Sequence, residues 1–275
     1  MSERGSLLVS VAFLAAVAGL SAAALDVSNW YRTNRKLQST TDGAALAGAQ
    51  ALPDNPTAAH TLAGGGTVTV STTVLPNDTI TVRRKLPAPG FLSGMLSGSR
   101  AVEATASART GGLSKARFAA PIAADARHPL LAGPGCPCWK QSTTLDLRLL
   151  DLDGPRSRTG TATLAGWIRR GFDGYLGAGW YRGEPGRHAA AEVRSALSAR
   201  TGSDLLFPIY RQSRPGRDGV EYRVVGWAGF HLTGSDLRGS KTRLHGWFER
   251  VIWDGIQSEF RSENDFGVRT IALID

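Results

Sequence analysis

The side chains best suited to chemistry are two cysteines that flank a single proline, Cys136 and Cys138. Two thiolates cannot complete a structural zinc site, which needs four ligands, and the five histidines are too dispersed to supply the others. The sequence has no C-x-x-C redox motif. A disulfide here would close a short and strained ring. A loop pair without a redox role is therefore favoured over a redox centre, and both a thiol pair and a disulfide, including one between exported copies, stay open.

Catalytic motifs are missing from the sequence. It has no G-x-S-x-G nucleophile elbow, no H-E-x-x-H metal motif, no P-loop and no G-x-G-x-x-G fingerprint. The run Asp151–Gly154 hints at a calcium loop but lacks the further ligands of an EF-hand, so a turn is the better interpretation. Nothing places Asp173, Glu184 and Glu192 together as acid and base. We therefore expect no enzyme activity, no catalytic residue, no metal and no cofactor.

Charge and aromatic content point to binding surfaces instead. A formal net charge of +9 and a pI of about 10.1 favour polyanions such as acidic wall polymers or lipid headgroups. Because the basic residues are scattered and form no stripe with interleaved aromatics, we expect no nucleic-acid binding. Five of the seven tryptophans could form a sugar-binding platform, although core packing is the favoured role. These are Trp167, Trp180, Trp227, Trp247 and Trp253.

One histidine lies in a pattern that predicts its surroundings. The run from Trp227 to Leu232 is strand-like, and alternate side chains of a strand point to opposite faces. His231 then shares one face with Trp227 and Gly229, while the residues between them form the apolar face. We predict that His231 is half-exposed and structural rather than catalytic.

The N-terminal stretch Gly5–Leu25 carries no charge. As a helix with a rise of about 1.5 Å per residue, it spans the roughly 30 Å hydrocarbon core of a bilayer. Small residues recur four apart, as at Ala15 and Gly19, which lets another membrane helix approach closely. Simple alanine richness explains this spacing equally well. The residues expected to anchor and pack the helix are Leu7, Leu8, Phe13, Ala15, Gly19, Leu25 and Trp30.

A cleaved signal peptide is the alternative, since Arg4 supplies a basic start and Ala22–Ala24 an A-x-A site. Against cleavage, no helix breaker occurs between Asp26 and Pro53. Aromatic and basic residues follow the apolar stretch, where an interfacial belt is expected. We predict one helix of roughly 70 Å, half in the membrane and half outside it. Its outer half should bury one face, which holds Trp30, Asn34, Leu37, Thr41, Ala44, Ala45, Gly48 and Leu52.

The rest of the chain predicts a small sheet and then a larger domain. Alternation over Thr67–Leu75 and Thr79–Leu86 predicts a β-hairpin, and Ala101–Arg109 a third strand. The Gly-, Pro- and Ala-rich stretch 111–139 reads as a connection. Further predicted elements are helices over Thr161–Leu176 and Gly186–Arg200, and strands over Leu205–Tyr210, Val220–Leu232, Leu244–Trp253 and Val268–Ile274.

The predicted fold class is α+β. A transmembrane helix continues into a long pilin-like helix with a small β-sheet, and a mostly antiparallel α+β domain follows. The predicted divisions are a transmembrane anchor at 1–25, a helix plus small sheet at 26–110, a connecting segment at 111–139 and an α+β domain at 140–275.

Several short motifs carry a family resemblance. They are Glu3-Arg4-Gly5-Ser6, Leu25-Asp26-Val27, Leu37-Gln38, Thr41-Asp42 and the tract Ala44–Ala49. An R-G-S start, an apolar helix, an L-x-V-D-like exit and an Ala/Gly tract in this order resemble the TadE/TadG-like proteins of Flp (Tad) pilus assembly, over the first fifth of the chain. The next strands also resemble that family, in Ile80–Arg84, Phe91–Leu96 and Val102–Ala108. Later segments resemble actinobacterial Tad-domain proteins, in Leu149–Gly154, Phe207–Tyr210, Tyr222–Leu232 and Leu244–Phe248.

The resemblance implies a cytoplasmic N-terminus, a single span of the cell membrane and an exported body. It implies as partners the lipid bilayer and Tad/Flp pilus-assembly proteins. Flp-type prepilins resemble one another in a Glu and an aromatic at the fifth and sixth positions after a glycine, but here Ser10 and Val11 follow Gly5. Polymerisation as a major pilin is therefore not expected.

We predict a membrane-anchored envelope protein that acts as a structural or accessory component of Flp/Tad pilus assembly. The alternative is an envelope-bound binding module for glycan or anionic wall polymer, which the charge and the Trp and Arg content motivate. A secreted hydrolase is the least supported alternative, because no catalytic motif favours it.

Overall fold

The computed structural model describes residues 3–88, 90, 100–133, 137–154, 159–184, 186, 190–216, 219–238, 241–259 and 265–274, apart from the side chains of 3–8, 100, 238 and 241. The chain divides into two compact units. The first contains Met1–Thr110 and Ile271–Asp275, and the second contains Gly111–Thr270. The predicted α+β class is confirmed.

Most of the described residues lie in regular elements. The helices are α1 Glu3–Ala49, α2 Pro56–Ala63, α3 Pro129–Ala132, α4 Thr161–Arg170 and α5 Ala191–Ser198. The strands are β1 Thr67–Ser71, β2 Thr79–Ala88, β3 Arg100–Gly111, β4 Leu113–Ala116, β5 Ala124–Asp125, β6 Ser142–Asp146, β7 Leu150–Asp151, β8 Leu176–Gly177, β9 Gly179–Gly183, β10 Ser203–Gly216, β11 Gly219–Arg238, β12 Lys241–Glu249, β13 Val251–Ile252, β14 Gly255–Gln257 and β15 Val268–Ile274.

The dominant element of the first unit is α1, which runs without a break for 47 residues. At about 1.5 Å per residue it is roughly 70 Å long, as the sequence predicts. The helix ends at Ala49, one turn before Pro53, because the residue that precedes a proline is driven out of the helical region. The predicted long helix with an apolar N-terminal half is therefore confirmed.

A small antiparallel sheet packs against the C-terminal half of α1. Strands β1, β2 and β3 are neighbours in that order, and the Ile271–Ile274 part of β15 follows β3. The core between the helix and the sheet is built mostly from alanines together with three larger side chains, Leu52 just after α1 and Ile80 and Val82 of β2. The face predicted for α1 is largely the buried one, although Asn34 at its edge is exposed and Trp30 is half-buried. The buried members of that face are Leu37, Thr41, Ala44, Ala45, Gly48 and Leu52.

The loop between β1 and β2 is held by one buried carboxylate. Asp78 accepts hydrogen bonds of 2.8 Å from the backbone amides of Thr73, Val74 and Leu75. These amides therefore do not pair with β2, and β1 ends at Ser71 rather than at the predicted Leu75. The hairpin itself is confirmed.

The second unit is organised around a seven-stranded sheet in which β5, β10, β11, β12 and β6 are neighbours in that order, with β9 and β7 attached beside β11. Its main core lies on one face of this sheet and includes α4 and α5. Phe230 of β11 contacts Phe207 and Phe248 of the adjoining strands, at ring-centroid distances of 5.0 and 5.3 Å. A second core cluster contains Trp227. The mostly antiparallel pairing agrees with the sequence pattern.

Several element boundaries differ from those predicted. Helix α4 ends at Arg170 rather than Leu176, because Gly171 takes a positive φ of 80° and packs against the backbone of Phe118. The predicted helix 186–200 begins only at Ala191. The stretch 111–139 lies within the second unit, and its described residues contribute β4, β5 and α3.

Candidate functional site on the N-terminal helix

The N-terminal half of α1 exposes large apolar side chains. Val9, Phe13, Leu14, Leu20 and Leu25 are each between 66% and 73% exposed. At about 100° per residue, the large apolar side chains cover roughly 200° of the circumference, and alanine and glycine fill the rest. A helix that is apolar on all sides is stable only where water is excluded, in a protein core or a bilayer.

Among the described residues, α1 is the one helix long and apolar enough to cross a membrane, with a mean hydropathy of 1.9 over its best 18 residues. Because this stretch is near the N-terminus and almost wholly exposed, it is a candidate membrane span or signal anchor.

The residues expected to anchor the helix are distributed around it. Phe13, Ala15 and Leu25 are exposed, and a Cβ atom at Gly19 would meet no atom within 4 Å. Trp30 is half-buried, at the end of the apolar half. The helix also includes Leu7 and Leu8, whose side chains lie outside the described part of the chain.

The apolar half ends at an aromatic and basic boundary. Tyr31 is 60% exposed, and the Arg35 guanidinium lies 5.4 Å from its ring centroid. Arg32 lies about one turn before Arg35 and Lys36 is the next residue after it, and both are exposed. Amphipathic rings and long cationic side chains are suited to the headgroup region, so this is the part of α1 that fits a membrane surface.

Beyond this boundary, small residues let α1 approach the sheet. Ala45 and Ala49 are fully buried, and a Cβ atom at Gly48 would lie 2.5 Å from Ile80 Cδ1. Arg84 of β2 also donates to the carbonyl oxygens of Thr40 and Ala63, at 3.2 and 2.7 Å. The Ala/Gly tract is therefore a packing surface, and the helix that carries the apolar half is joined directly to a folded unit.

Residues 5–51 match the family model described as putative Flp pilus-assembly TadE/G-like. The N-terminal segment of this chain is TadE/G-like. The matched segment contains the exposed apolar half, the aromatic and basic boundary and the Ala/Gly tract. The family resemblance predicted from the short motifs is confirmed, and its actinobacterial qualifier stays a prediction. No curated protein and no solved structure matches the chain.

The second unit contains a polar cluster that sequence reasoning missed. His231 is 23% exposed, and its Nδ1 lies 2.6 Å from Asp204 Oδ1 and 3.9 Å from Glu249 Oε1. Burial raises the pKa of Glu249, and its hydrogen bond to Asp204 and the charge of that carboxylate raise it further. Burial acts to raise the pKa of Asp204 too, but hydrogen bonds to Glu249 and His231 outweigh it and lower that pKa. The predicted faces and partial exposure of His231 are confirmed.

Of the three carboxylates considered as acid and base, Asp173 and Glu184 have structural partners, while Glu192 is exposed in the first turn of α5. Asp151 accepts hydrogen bonds from Thr159 Oγ1 at 2.6 Å and Arg182 Nη2 at 2.5 Å, and Arg182 also pairs with Glu184 at 2.9 Å. The side chain of Asp151 is fully buried, so its oxygens are turned away from solvent. Asp173 pairs with Arg117.

The predicted thiol pair is only partly described. Cys138 is disulfide-bonded, and no cysteine in the described residues is free. Cys136 lies outside the described residues.

The tryptophans are used mainly in packing. Trp227 is 5% exposed, and Trp167 and Trp253 pack against the cores. Trp247 stacks on the His231 ring, and Trp180 is the most exposed of the five tryptophans, at 38%. Arg214 lies over Trp180, 4.0 Å from the ring centroid.

A groove of about 450 Å³ is lined by charged residues of both signs in the second unit. Arg148 and Arg243 lie beside Asp125 and Asp146. Burial raises the pKa of Tyr210, also in the groove, to about 12. Because the charged residues that line it are of both signs, the groove does not offer the uniformly basic surface that an acidic polymer favours.

Proposed function

We propose that this protein is a single-pass, membrane-anchored envelope protein that serves Flp/Tad pilus assembly as a structural or accessory component. The observation that carries the proposal is the TadE/G-like match over residues 5–51, the segment that holds both the exposed apolar half of α1 and its packed Ala/Gly tract. In this proposal the N-terminus is cytoplasmic and both compact units are extracytoplasmic.

The proposed role of α1 is mechanical as well as anchoring. The helix is uninterrupted from the apolar half to the buried face at Ala45 and Ala49. A continuous helix with small residues packed on a sheet leaves no flexible linker between the bilayer and the first unit. The first unit is therefore held at a set height above the membrane, where pilus-assembly proteins can contact it.

An accessory role fits better than a fibre role. The residues that follow Gly5 at the fifth and sixth positions are Ser10 and Val11, so this part of the helix has no carboxylate to pair with a neighbouring subunit's amino terminus. A carboxylate in the hydrocarbon core is costly unless it has such a partner. The chain is thus proposed to stand beside the fibre.

The experiment that tests this role is site-specific photo-crosslinking in cells. A photoreactive residue replaces Leu20 on the exposed apolar half, and a matched one replaces Tyr175, which is 54% exposed in the second unit. Tagged protein is then recovered from gently solubilised membranes and its adducts are identified by mass spectrometry. Adducts with pilus platform or pilin proteins support the proposal. Adducts with lipid or wall fragments alone, at both positions, would refute it and favour the wall-binding alternative.

Topology is tested separately by protease treatment of intact spheroplasts. The proposal expects the body of the chain to be degraded while a short N-terminal fragment stays protected. Protection of the body, with degradation only after lysis, would reverse the proposed orientation.

A further inference from the structure

Three neighbouring strands of the second unit bring two carboxylates and an imidazole to one place. Asp204 of β10 is the Cα partner of His231 of β11, and His231 is the partner of Trp247 of β12. Partners in an antiparallel pair lie on the same face, and residues two apart on a strand do too. Glu249 therefore lies on the same face as His231. We call Asp204, His231 and Glu249 the carboxylate–imidazole cluster.

The ligand atoms of the carboxylate–imidazole cluster converge. One atom from each of the three residues lies within 4.8 Å of the others. The His231 Nδ1 atom lies 2.6 Å from Asp204 Oδ1 and 3.9 Å from Glu249 Oε1. The side chains are 45%, 23% and 15% exposed for Asp204, His231 and Glu249, so the cluster is partly sheltered and still open to solvent.

Neighbouring residues orient the cluster from two sides. Trp247 stacks on His231, with ring centroids 4.4 Å apart and an interplanar angle of 11°, and its Nε1 donates to Glu249 Oε2 at 3.4 Å. The Cα partner of Glu249 is Gly229, which has no side chain to stand between Glu249 and His231. A Cβ atom there would lie 2.8 Å from the Glu249 carbonyl oxygen. Such outer contacts are typical of metal sites, where they hold the ligands in place.

We propose that the carboxylate–imidazole cluster binds a divalent first-row transition metal, with Zn²⁺ as the ion that fits best. Imidazole nitrogen and carboxylate oxygen are zinc ligands, whereas Mg²⁺ and Ca²⁺ prefer oxygen alone. Ligand atoms about 2.0–2.2 Å from a tetrahedral zinc ion lie about 3.4 Å apart. For all three residues to bind one ion, the 2.6 Å distance from His231 Nδ1 to Asp204 Oδ1 must widen, and the 3.9 Å distance from His231 Nδ1 to Glu249 Oε1 must narrow. Each change is less than about 1 Å.

Charge favours the same conclusion. Two carboxylates in contact repel each other unless a cation or a proton lies between them. Arg200, a cation close to Asp204, directs its Nη2 to the backbone carbonyl oxygen of Asp204 at 2.8 Å. With three protein ligands, at least one coordination position stays open for water or a partner's ligand.

The test is isothermal titration of Zn²⁺ into the full chain in detergent, after chelator treatment and without reductant, so that the disulfide at Cys138 is preserved. We expect one Zn²⁺ per chain with a micromolar Kd, and binding of Mg²⁺ at least a hundredfold weaker. The variants H231Q and E249Q should each weaken Zn²⁺ binding by tenfold or more.

The control variant is H245Q. His245 lies in the same sheet and its Nε2 is 2.9 Å from Asp236 Oδ2, so it repeats the His–Asp pair, but the three-residue cluster does not include it. Its Kd for Zn²⁺ should stay within twofold of the wild-type value. Equal losses in H231Q and H245Q, no Zn²⁺ binding, or equal affinity for Mg²⁺ would each overturn the proposal.

A second measurement separates binding from folding. Zn²⁺ should raise the Tm of the wild type and of H245Q but not that of H231Q. If H231Q does not fold, D204N supplies the same comparison, since the Asp204 side chain is the most exposed of the three. A Zn²⁺-dependent rise in Tm that persists in the cluster variants would place the ion elsewhere and refute the assignment.

Discussion

Gly48 of α1 packs directly against Ile80 of β2, and this contact sets how closely the helix approaches the sheet of the first unit. A Cβ atom at position 48 would lie 2.5 Å from Ile80 Cδ1, 3.0 Å from the Ala59 carbonyl oxygen and 3.2 Å from Ala63 Cβ. The TadE/G-like segment therefore carries, in its Ala/Gly tract, the residues that join the apolar helix to the folded body.

Gly48→Ala should destabilise the protein. The Ile80 side chain can move, but the backbone oxygen of Ala59 cannot move freely, so overpacking should cost about 1–3 kcal/mol. The measurement is the free energy of unfolding of the full chain in detergent, from urea titration followed by circular dichroism.

Gly43→Ala is the matched control for Gly48→Ala. Gly43 lies on the exposed side of the same helix, and a Cβ atom there would meet nothing within 4 Å. Replacing an open helical glycine by alanine should stabilise the helix by about 0.5–1 kcal/mol. Changes of the same sign in the two variants would contradict the proposed packing.

Arg182→Met should be among the most damaging single changes in the second unit. The guanidinium, 12% exposed, pairs with Asp151, whose side chain is fully buried. Removing one partner leaves a buried charge uncompensated, which should cost about 3–5 kcal/mol. Differential scanning calorimetry should show a lower Tm. The comparison is Arg83→Met, which breaks an exposed pair with Glu103, where we expect about 0–1 kcal/mol. Similar losses of stability in Arg182→Met and Arg83→Met would show that the Arg182–Asp151 pair is no more stabilising than the exposed pair.

Asp78 should make the first unit sensitive to acid. Burial acts to raise its pKa, but hydrogen bonds from the Leu75, Val74 and Thr73 amides and from Thr79 outweigh it and lower that pKa. A lowered pKa in the folded state means that the carboxylate stabilises the protein above its ordinary pKa of about 3.9. That stabilisation is lost as the pH falls through the lower, folded-state pKa.

The variant Asp78→Ala tests this pH dependence. It should lose about 1–3 kcal/mol at pH 7, because three partly buried backbone amides lose their acceptor. The difference from wild type should shrink below about pH 4. Urea titrations at pH 7 and pH 3 measure it, with Asp146→Asn as an exposed comparison expected to change stability by less than about 0.5 kcal/mol. If the stability difference between Asp78→Ala and the wild type were the same at both pH values, the role of the Asp78 charge would be refuted.

Aspartates introduced into the apolar half of α1 should release the protein from membranes. Asp at the centre of a span costs about 2.5–3.5 kcal/mol per residue, so the double variant Phe13→Asp/Leu20→Asp should move from the pellet to the supernatant after alkaline extraction. Tyr175→Asp, at a site 54% exposed in the second unit, should leave fractionation unchanged. Retention of the double variant in the pellet would show that α1 is not the anchor.

The sequence predicted the features that depend on neighbouring residues. The long helix follows from an unbroken run of helix-compatible residues, and its buried face from a 3.6-residue period that links Leu37, Thr41, Ala45 and Gly48. The β1–β2 hairpin followed from alternation, but its loop did not, because only the folded chain shows that Asp78 caps the amides of Thr73 to Leu75.

Contiguous residues and local periods were thus enough to predict the apolar stretch, the TadE/G-like N-terminal segment and the α+β class. The carboxylate–imidazole cluster forms only in the folded chain, because its members are far apart in the sequence. Their meeting depends on strand register, and a slip of one residue would turn each side chain to the other face. The pairing of Phe230 with Phe248 in the core places His231 opposite Trp247 on the other side of the sheet, and that long-range packing has no local signal.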